Sequence, residues 1–207
     1  MTMRGLYAVT PEGLPFERLA ALVSAALAGG VRLVQYRSKE SSIELRRHQA
    51  AALLALCRAR GARLIINDDL ALALELDADG VHLGRDDGDL AAAREALGSD
   101  RILGASCYGD LALAGAAAAA GADYLALGSV FASHTKPQAP VIPLELLGEA
   151  KRRFGLPVAA IGGITLDNAA RTIAAGADLL AVIADLFDAG DVAAAGERAK
   201  AYQKLFA

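Results

Sequence analysis

The sequence is poor in aromatic residues and cysteine and carries no strong excess of either charge. Aromatic side chains make up 5% of the 207 residues, and tryptophan is absent, so alanine, leucine and valine must build most of the core. The formal net charge is −3, and no basic run interleaved with aromatic residues occurs. Nucleic-acid-binding surfaces usually need such a basic field. We therefore expect no nucleic-acid partner.

Long apolar segments and a cysteine framework are also missing. The first ten residues lack the charged and apolar regions of a signal peptide. The alanine-rich run 111–122 is too short and too small-sided to span a bilayer. Cys57 and Cys107 have no metal-ligand spacing, and the helical pattern around Cys57 favours a buried thiol. We therefore expect no membrane partner and a location in the reducing cytoplasm.

Segments with strand character alternate with helical patterns along the whole chain. Because no linker or change of composition interrupts them, we expect one domain over residues 1–207. Such alternation predicts a parallel sheet covered by helices. Eight units favour an α/β fold of the (β/α)8 TIM-barrel type over a doubly wound sheet, which usually has fewer strands. The predicted strands are 5–10, 31–34, 63–67, 80–83, 102–106, 124–128, 157–161 and 179–183.

Three polar side chains follow the second predicted strand. In an extended chain Gln35, Arg37 and Lys39 lie on the same face. An amide, a guanidinium and an ammonium group cannot be buried without partners, so the strand should open into a polar pocket. Two cations and an amide suit a polyanion such as pyrophosphate. A solvated strand end with ordinary salt bridges fits the same spacing.

Carboxylates follow the third and fourth predicted strands. Neighbouring strands lie about 4.8 Å apart, so Asp68 and Asp87 could share a hard cation such as Mg2+. Helix capping is the alternative for both, and it is the favoured interpretation for Asp69 and Asp86. His82 lies inside an apolar strand, which favours a hydrogen-bonded core histidine.

Further polar groups follow the later strands. Ser106 is either a pocket hydroxyl or a cap, and no nearby histidine and acid mark it as a nucleophile. The loop segment 133–136 (Ser-His-Thr-Lys) suits an anionic substrate and is typical of a lid, although an exposed polar loop would look the same. Gly162 and Gly163 allow backbone N–H groups to approach a phosphate before a helix N-terminus, although turns use such pairs too.

Taken in order, these motifs resemble the thiamine-phosphate synthase (thiamine-phosphate pyrophosphorylase) family, and the resemblance covers nearly the whole chain. It implies a transferase that condenses 4-amino-2-methyl-5-hydroxymethylpyrimidine diphosphate with 4-methyl-5-(2-hydroxyethyl)thiazole phosphate. Thiamine phosphate and pyrophosphate form by Mg2+-assisted, dissociative loss of pyrophosphate, through a pyrimidine carbocation. The motifs are Gln35-Tyr36-Arg37-Ser38-Lys39, Ile66-Asn67-Asp68, Gly80-Val81-His82-Leu83-Gly84, Gly104-Ala105-Ser106, Thr135-Lys136 and Ala160-Ile161-Gly162-Gly163-Ile164.

The resemblance also implies a role for individual residues. The diphosphate substrate would be bound by Gln35, Arg37, Lys39 and Asn67, and Mg2+ by Asp68 and Asp87. The pyrimidine and diphosphate site would be completed by Ser106 and Lys136, which with Arg37 and Lys39 form the catalytic set. The thiazole phosphate would be held by Ser133, Thr135 and the backbone of Gly163 and Ile183. The oligomeric state stays open, a homodimer included.

Four residues depart from the family pattern. Ser133 stands where many relatives have threonine, and Arg85 where glutamine is frequent. Ala184-Asp185 replaces the usual Ser-Ala or Ser-Gly pair. Asp185 either weakens thiazole phosphate binding by placing a carboxylate near it, or points away and caps the next turn.

Rival functions fit less of the sequence. A paralogous thiazole tautomerase needs a general acid or base, yet Tyr108 stands where that relative carries a histidine. Such an enzyme also has little use for Asp68 and Asp87. A sugar-phosphate epimerase or isomerase is compatible with the Gly-Gly pair alone. Only Ala184-Asp185 favours a non-catalytic protein that binds a thiamine precursor.

Overall fold

Eight parallel strands form a closed barrel in which each strand is hydrogen-bonded to the next and the last to the first. The computed structural model describes residues 3–133 and 138–207. The predicted (β/α)8 fold is confirmed, and strand bounds differ from the predicted ones by two residues at most. The strands are β1 (Gly5–Val9), β2 (Leu33–Tyr36), β3 (Arg63–Asn67), β4 (Gly80–Leu83), β5 (Ile102–Tyr108), β6 (Tyr124–Leu127), β7 (Val158–Ile161) and β8 (Leu179–Val182).

Helices follow the strands along the chain and pack around the barrel. The sequence analysis missed one of them, the four-residue α8 directly after β8. In the described part of the chain, no helix is long and apolar enough to cross a membrane. The helices are α1 (Phe16–Ala28), α2 (Ile43–Ala59), α3 (Leu70–Glu75), α4 (Leu90–Leu97), α5 (Leu111–Ala119), α6 (Glu145–Phe154), α7 (Leu166–Ala174), α8 (Ala184–Phe187) and α9 (Val192–Lys204).

The two-residue period of the strands divides the hydrophobic core into two parts. In β1, Leu6 and Ala8 pack against the helices, whereas Tyr7 and Val9 point into the barrel. The larger part lies between strands and helices and includes Cys57, whose thiol is fully buried as predicted. Burial raises the pKa of this thiol to about 12.

Two tyrosines lie inside the barrel, and Gly104 makes room for one of them, Tyr124. A Cβ atom added to Gly104 would lie 2.1 Å from Cζ of Tyr124, so no larger residue fits there beside the ring. Tyr7 and Tyr124 meet edge to face with their ring centroids 5.7 Å apart. The barrel interior is therefore partly polar, because two buried hydroxyl groups lie within it.

Aspartates begin two of the short helices. Asp69 accepts a hydrogen bond from the N–H of Leu72 at 2.9 Å and caps α3, as predicted. The capping role predicted for Asp86 is wrong. Asp89 caps α4 by accepting from the N–H of Ala92 at 2.8 Å, because that helix begins at residue 90. Asp86 lies in an exposed turn three residues earlier.

Candidate active site

The backbone beyond β2 is held by the residue that follows β1. Thr10 is fully buried, and its N–H donates to the carbonyl of Gln35 at 2.9 Å. Its hydroxyl oxygen accepts from the N–H of Arg37 at 2.9 Å. Because the regular strand ends at Tyr36, these contacts fix the start of the segment that carries Arg37 and Lys39 at the carboxyl end of the barrel.

Glu12 connects the two cationic residues of this segment. One carboxylate oxygen lies 2.9 Å from the guanidinium of Arg37, and the other accepts the backbone N–H of Lys39. Burial alone would raise the pKa of Glu12, but the Lys39 N–H and the Arg37 charge outweigh burial and lower it. The sequence analysis did not identify Glu12. An acidic residue shortly after β1, beside the cationic residues that follow the neighbouring strand β2, is a signal that could have found it.

Lys39 extends from this segment to the predicted metal ligands. Its ammonium nitrogen lies 2.7 Å from a carboxylate oxygen of Asp68. The carboxylates of Asp68 and Asp87 interact electrostatically, and Asp87 accepts the N–H of Gly84 at 2.8 Å. The structure therefore brings Arg37, Lys39, Asp68 and Asp87 together, with Glu12 linking the first two.

The two aspartates differ in their affinity for a proton. Burial raises the pKa of Asp87, and the interaction with Asp68 raises it further. Burial alone would also raise the pKa of Asp68, but the interactions with Lys39 and Asp87 outweigh it and lower the pKa. Two neighbouring carboxylates repel each other when both are ionised. A bound cation would relieve that repulsion.

The backbone of Asp68 adopts an unusual conformation. Its φ angle is +64°, in the left-handed region that residues other than glycine rarely adopt. Its N–H donates to the carbonyl of His82 at 2.8 Å. Such strained residues cluster at functional sites. The conformation places the Asp68 carboxylate beside Asp87 at the end of β4.

Gln35, His82 and Ser106 lie lower, inside the barrel. Gln35 is 5% exposed, and its amide nitrogen donates to the hydroxyl of Tyr7 at 2.8 Å. His82 is hydrogen-bonded through Nδ1 to the hydroxyl of Tyr124 at 2.9 Å and through Nε2 to Oγ of Ser106 at 2.8 Å. The prediction of a hydrogen-bonded core histidine is confirmed. Gln35 and Ser106 thus border the interior below the charged groups.

The glycine pair after β7 forms a tight turn against the segment after β6. The N–H of Phe131 donates to the carbonyl of Gly162 at 3.1 Å. Gly163 has a φ of +61°, and a Cβ atom there would lie 2.3 Å from the carbonyl oxygen of Ala132. Asn168 fixes the turn from α7 by donating to the carbonyl of Gly163 at 2.9 Å. Both glycines are therefore required by the local backbone.

Asp185 points away from the barrel mouth. Its carboxylate accepts from the guanidinium of Arg198 at 2.6 Å and 3.1 Å and from the hydroxyl of Tyr202 at 2.6 Å. Residue Ile183, not Asp185, occupies the N-cap position of α8. The carboxylate therefore neither caps this turn nor lies beside the predicted phosphate position, and it binds α8 to α9.

The remaining predicted residues lie on the loop after β6. Ser133 is half-buried. Thr135 and Lys136 fall within 134–137, outside the described residues.

A second polar opening lies at the opposite end of the barrel. It has a volume of about 350 Å³ and is bordered by Arg58, Asp77 and Arg101, together with Arg63 at the start of β3. Arg58 and Arg101 are both paired with Asp77, at 3.3 Å and 2.5 Å. Chemistry in (β/α)8 barrels occurs at the carboxyl ends of the strands, so the candidate active site is the mouth that contains Lys39 and Asp68.

Comparisons with known proteins identify the family of the chain. Residues 6–186 match the family model described as thiamine monophosphate synthase. The thiamine-phosphate synthase of Chromobacterium violaceum is 58% identical over 193 residues, covering 93% of each chain. That of Aromatoleum aromaticum is 56% identical over 204 residues, covering 99% of this chain and 97% of the relative.

A solved structure shares both fold and sequence. The thiamine phosphate pyrophosphorylase of Pyrococcus furiosus superposes with a TM-score of 0.86 at 34% identity, covering 99% of this chain and 96% of that one. These matches extend over every strand of the barrel. The chain belongs to the thiamine monophosphate synthase family.

Proposed function

We propose that this chain is a thiamine-phosphate synthase. It joins 4-amino-2-methyl-5-hydroxymethylpyrimidine diphosphate to 4-methyl-5-(2-hydroxyethyl)thiazole phosphate and releases pyrophosphate. The observation that carries the proposal is the ion pair between Lys39 and Asp68 at 2.7 Å, next to Asp87, whose pKa is raised by Asp68. It lies at the carboxyl end of the barrel in a member of this family.

Asp68 and Asp87 fit a magnesium ion. Mg2+ prefers oxygen ligands, and it commonly uses one or two carboxylates and completes its shell with substrate phosphates and water. In the described ranges, no group of three or more His, Cys, Asp or Glu side chains is arranged to hold a metal, so the diphosphate would supply further ligands. When bound, Mg2+ neutralises charge on the leaving pyrophosphate.

Arg37 and Lys39 stabilise the departing pyrophosphate. As the carbon–oxygen bond breaks, negative charge grows on the diphosphate oxygens, and cations fixed there stabilise the transition state more than the ground state. The Lys39 side chain is 49% exposed, whereas that of Arg37 is 16% exposed and is held by Glu12. The exposed Lys39 can therefore turn from Asp68 towards the diphosphate, whereas Glu12 already holds the guanidinium of Arg37 in place.

The rest of the site binds the two ring systems. Gln35 and Ser106 meet the pyrimidine from inside the barrel, and Asn67 helps to place the diphosphate. The aminopyrimidine donates electrons to the carbon that loses pyrophosphate, so no protein nucleophile is needed. Ser133 and the backbone of Gly163 and Ile183 hold the thiazole phosphate. Thr135 and Lys136 keep their predicted roles as substrate-binding groups, and residues 1–207 act as one domain.

The proposal is tested with purified protein, both substrates and Mg2+. We expect pyrophosphate and thiamine phosphate to form in equal amounts and EDTA to stop the reaction. If neither product formed while the protein was folded, the proposal would be wrong. The cytoplasmic location and a homodimer stay predictions, the latter to be checked by sedimentation.

Tautomerase activity, the alternative function, is assayed with the same purified protein. Tyr108, the residue at the position of that enzyme's histidine, is 42% exposed, and the guanidinium of Arg85 lies 5.1 Å from its ring centroid. Tyr108 therefore does not supply the imidazole that the related enzyme carries at this position. We therefore expect no tautomerase activity, with or without Mg2+.

A further inference from the structure

Five side chains form one continuous chain of hydrogen bonds through the barrel interior. The amide nitrogen of Gln35 lies 2.8 Å from the hydroxyl of Tyr7, which lies 2.7 Å from the hydroxyl of Tyr124. Tyr124 continues to Nδ1 of His82 at 2.9 Å, and Nε2 of His82 to Oγ of Ser106 at 2.8 Å. Both ends of this interior chain, Gln35 and Ser106, are residues of the proposed substrate site.

The donor at one end sets the direction of every bond. The amide nitrogen of Gln35 only donates, so the Tyr7 oxygen accepts there. Tyr7 is 1% exposed, and a buried hydroxyl hydrogen without an acceptor is costly. Its hydrogen therefore goes to the oxygen of Tyr124. The hydrogen of Tyr124 then has to go to Nδ1 of His82.

Both tyrosines are protonated, so that each can donate one hydrogen bond within the interior chain. Burial raises the pKa of Tyr7 and of Tyr124 well above that of an exposed tyrosine. Gly104 makes room for the Tyr124 ring, because even a Cβ atom there would lie 2.2 Å from its hydroxyl oxygen. Each of the two tyrosines in the interior chain therefore has a single hydrogen to donate.

We propose that Tyr7 and Tyr124 are positioning residues that fix the direction of the Ser106 hydroxyl. Because His82 accepts at Nδ1, it carries its hydrogen on Nε2 and donates to Oγ of Ser106. The Ser106 hydrogen then points into the mouth, where it donates to an acceptor of the diphosphate substrate. This part of the inference rests on the proposed function, whereas the state of His82 does not.

The His82 tautomer is measured directly by long-range 15N–1H NMR of the free protein. The sequence contains three histidines, so a His48→Gln/His134→Gln background leaves His82 as the single source of signal. We expect the Nε2–H tautomer at neutral pH. In Tyr7→Phe, nothing fixes the Tyr124 hydrogen, and both tautomers should appear. The matched control is Tyr36→Phe, which removes a buried hydroxyl bound to Gln49 and should leave the tautomer unchanged.

Kinetics provide a second, quantitative readout. If only the Nε2–H form presents Ser106 as a donor, kcat/KM should fall in proportion to the loss of that form. For Tyr7→Phe we expect a decrease of about 2- to 10-fold, equal to the decrease in the NMR fraction. In a Ser106→Ala background, Tyr7→Phe should cause no further decrease, since the donor is already gone.

Three results would overturn the inference. They are an Nδ1–H or doubly protonated His82 in the parent protein, an unchanged tautomer in Tyr7→Phe, and fully additive effects of Tyr7→Phe and Ser106→Ala. An inactive protein with the expected tautomer would refute only the proposed function. An active protein with the opposite tautomer would refute only this inference.

Discussion

Removal of the Asp185 carboxylate should destabilise the barrel without impairing the site. This carboxylate joins α8 to α9 through Arg198 and Tyr202. Tyr202 is fully buried, and Asp185→Ala would leave its hydroxyl without this acceptor. The side chain of Asp185 is only 9% exposed, so water has little access to replace it.

The expected loss follows from the two contacts. A buried hydroxyl without its partner costs about 1–3 kcal/mol. The Arg198 pair adds at most about 1 kcal/mol, because the Arg198 side chain is 38% exposed and solvent screens the interaction. The free energy of unfolding should therefore decrease by about 1–4 kcal/mol. For a chain of this length, that corresponds to a melting temperature lower by about 2–16 °C.

Urea denaturation and steady-state kinetics test this reasoning together. Asp188→Ala is the matched control, since Asp188 follows the same helix but is exposed, and its loss should be within about 0.5 kcal/mol. Below the melting temperature, the KM for thiazole phosphate should change less than about twofold. A several-fold lower KM for thiazole phosphate in Asp185→Ala would show that the carboxylate faces the phosphate instead. A decrease in stability no larger than that of Asp188→Ala would show that the contacts with Arg198 and Tyr202 do not stabilise the fold.

Three further predictions concern the mouth. Asp68→Ala should reduce activity across a Mg2+ titration far more than Asp69→Ala, which removes a helix cap worth about 1 kcal/mol; equal reductions would contradict the metal assignment. In steady-state kinetics, Arg37→Ala should raise the KM of the pyrimidine diphosphate about tenfold or more and spare that of the thiazole phosphate, and the reverse pattern would mean that the two halves of the pocket are exchanged. The lowered pKa of Glu12 stabilises the fold above the unfolded-state pKa of about 4.3. Denaturation at several pH values should therefore show that Glu12→Gln is destabilising at neutral pH and that its difference from the parent disappears in acid; a constant difference would exclude this ion pair as the cause.

The architecture could be predicted because each strand carries its own local signal. Short apolar runs of strand length recur eight times along the chain, and the bounds of β3 and β4 were predicted to the residue. The small helix α8 was missed because four residues show no helical period. Asp86 was wrongly assigned as a cap because three aspartates lie close together there, and only the position of the first helical turn decides which of them caps α4.

Pairings between side chains were the part that the sequence could not supply. The pattern Gln-x-Arg-x-Lys indicated two cations at one strand end, but not that Glu12 would neutralise Arg37 or that Lys39 would reach Asp68. Each pairing joins loops from different strands, so its geometry depends on the closure of the whole barrel. For the same reason, sequence alone left both orientations of Asp185 open.

The motif Gly104-Ala105-Ser106 shows how one strand links the core to the chemistry. Residues two apart in a strand face the same way, so Gly104 and Ser106 both face the interior, one deeper and one at the mouth. The missing side chain at Gly104 admits Tyr124, and Tyr124 binds the histidine that contacts Ser106. Gly104 and Ser106 therefore both contribute to the orientation of the Ser106 hydroxyl. A hydroxyl at the mouth has a defined direction only if the space beneath it is shaped to hold the residues that orient it.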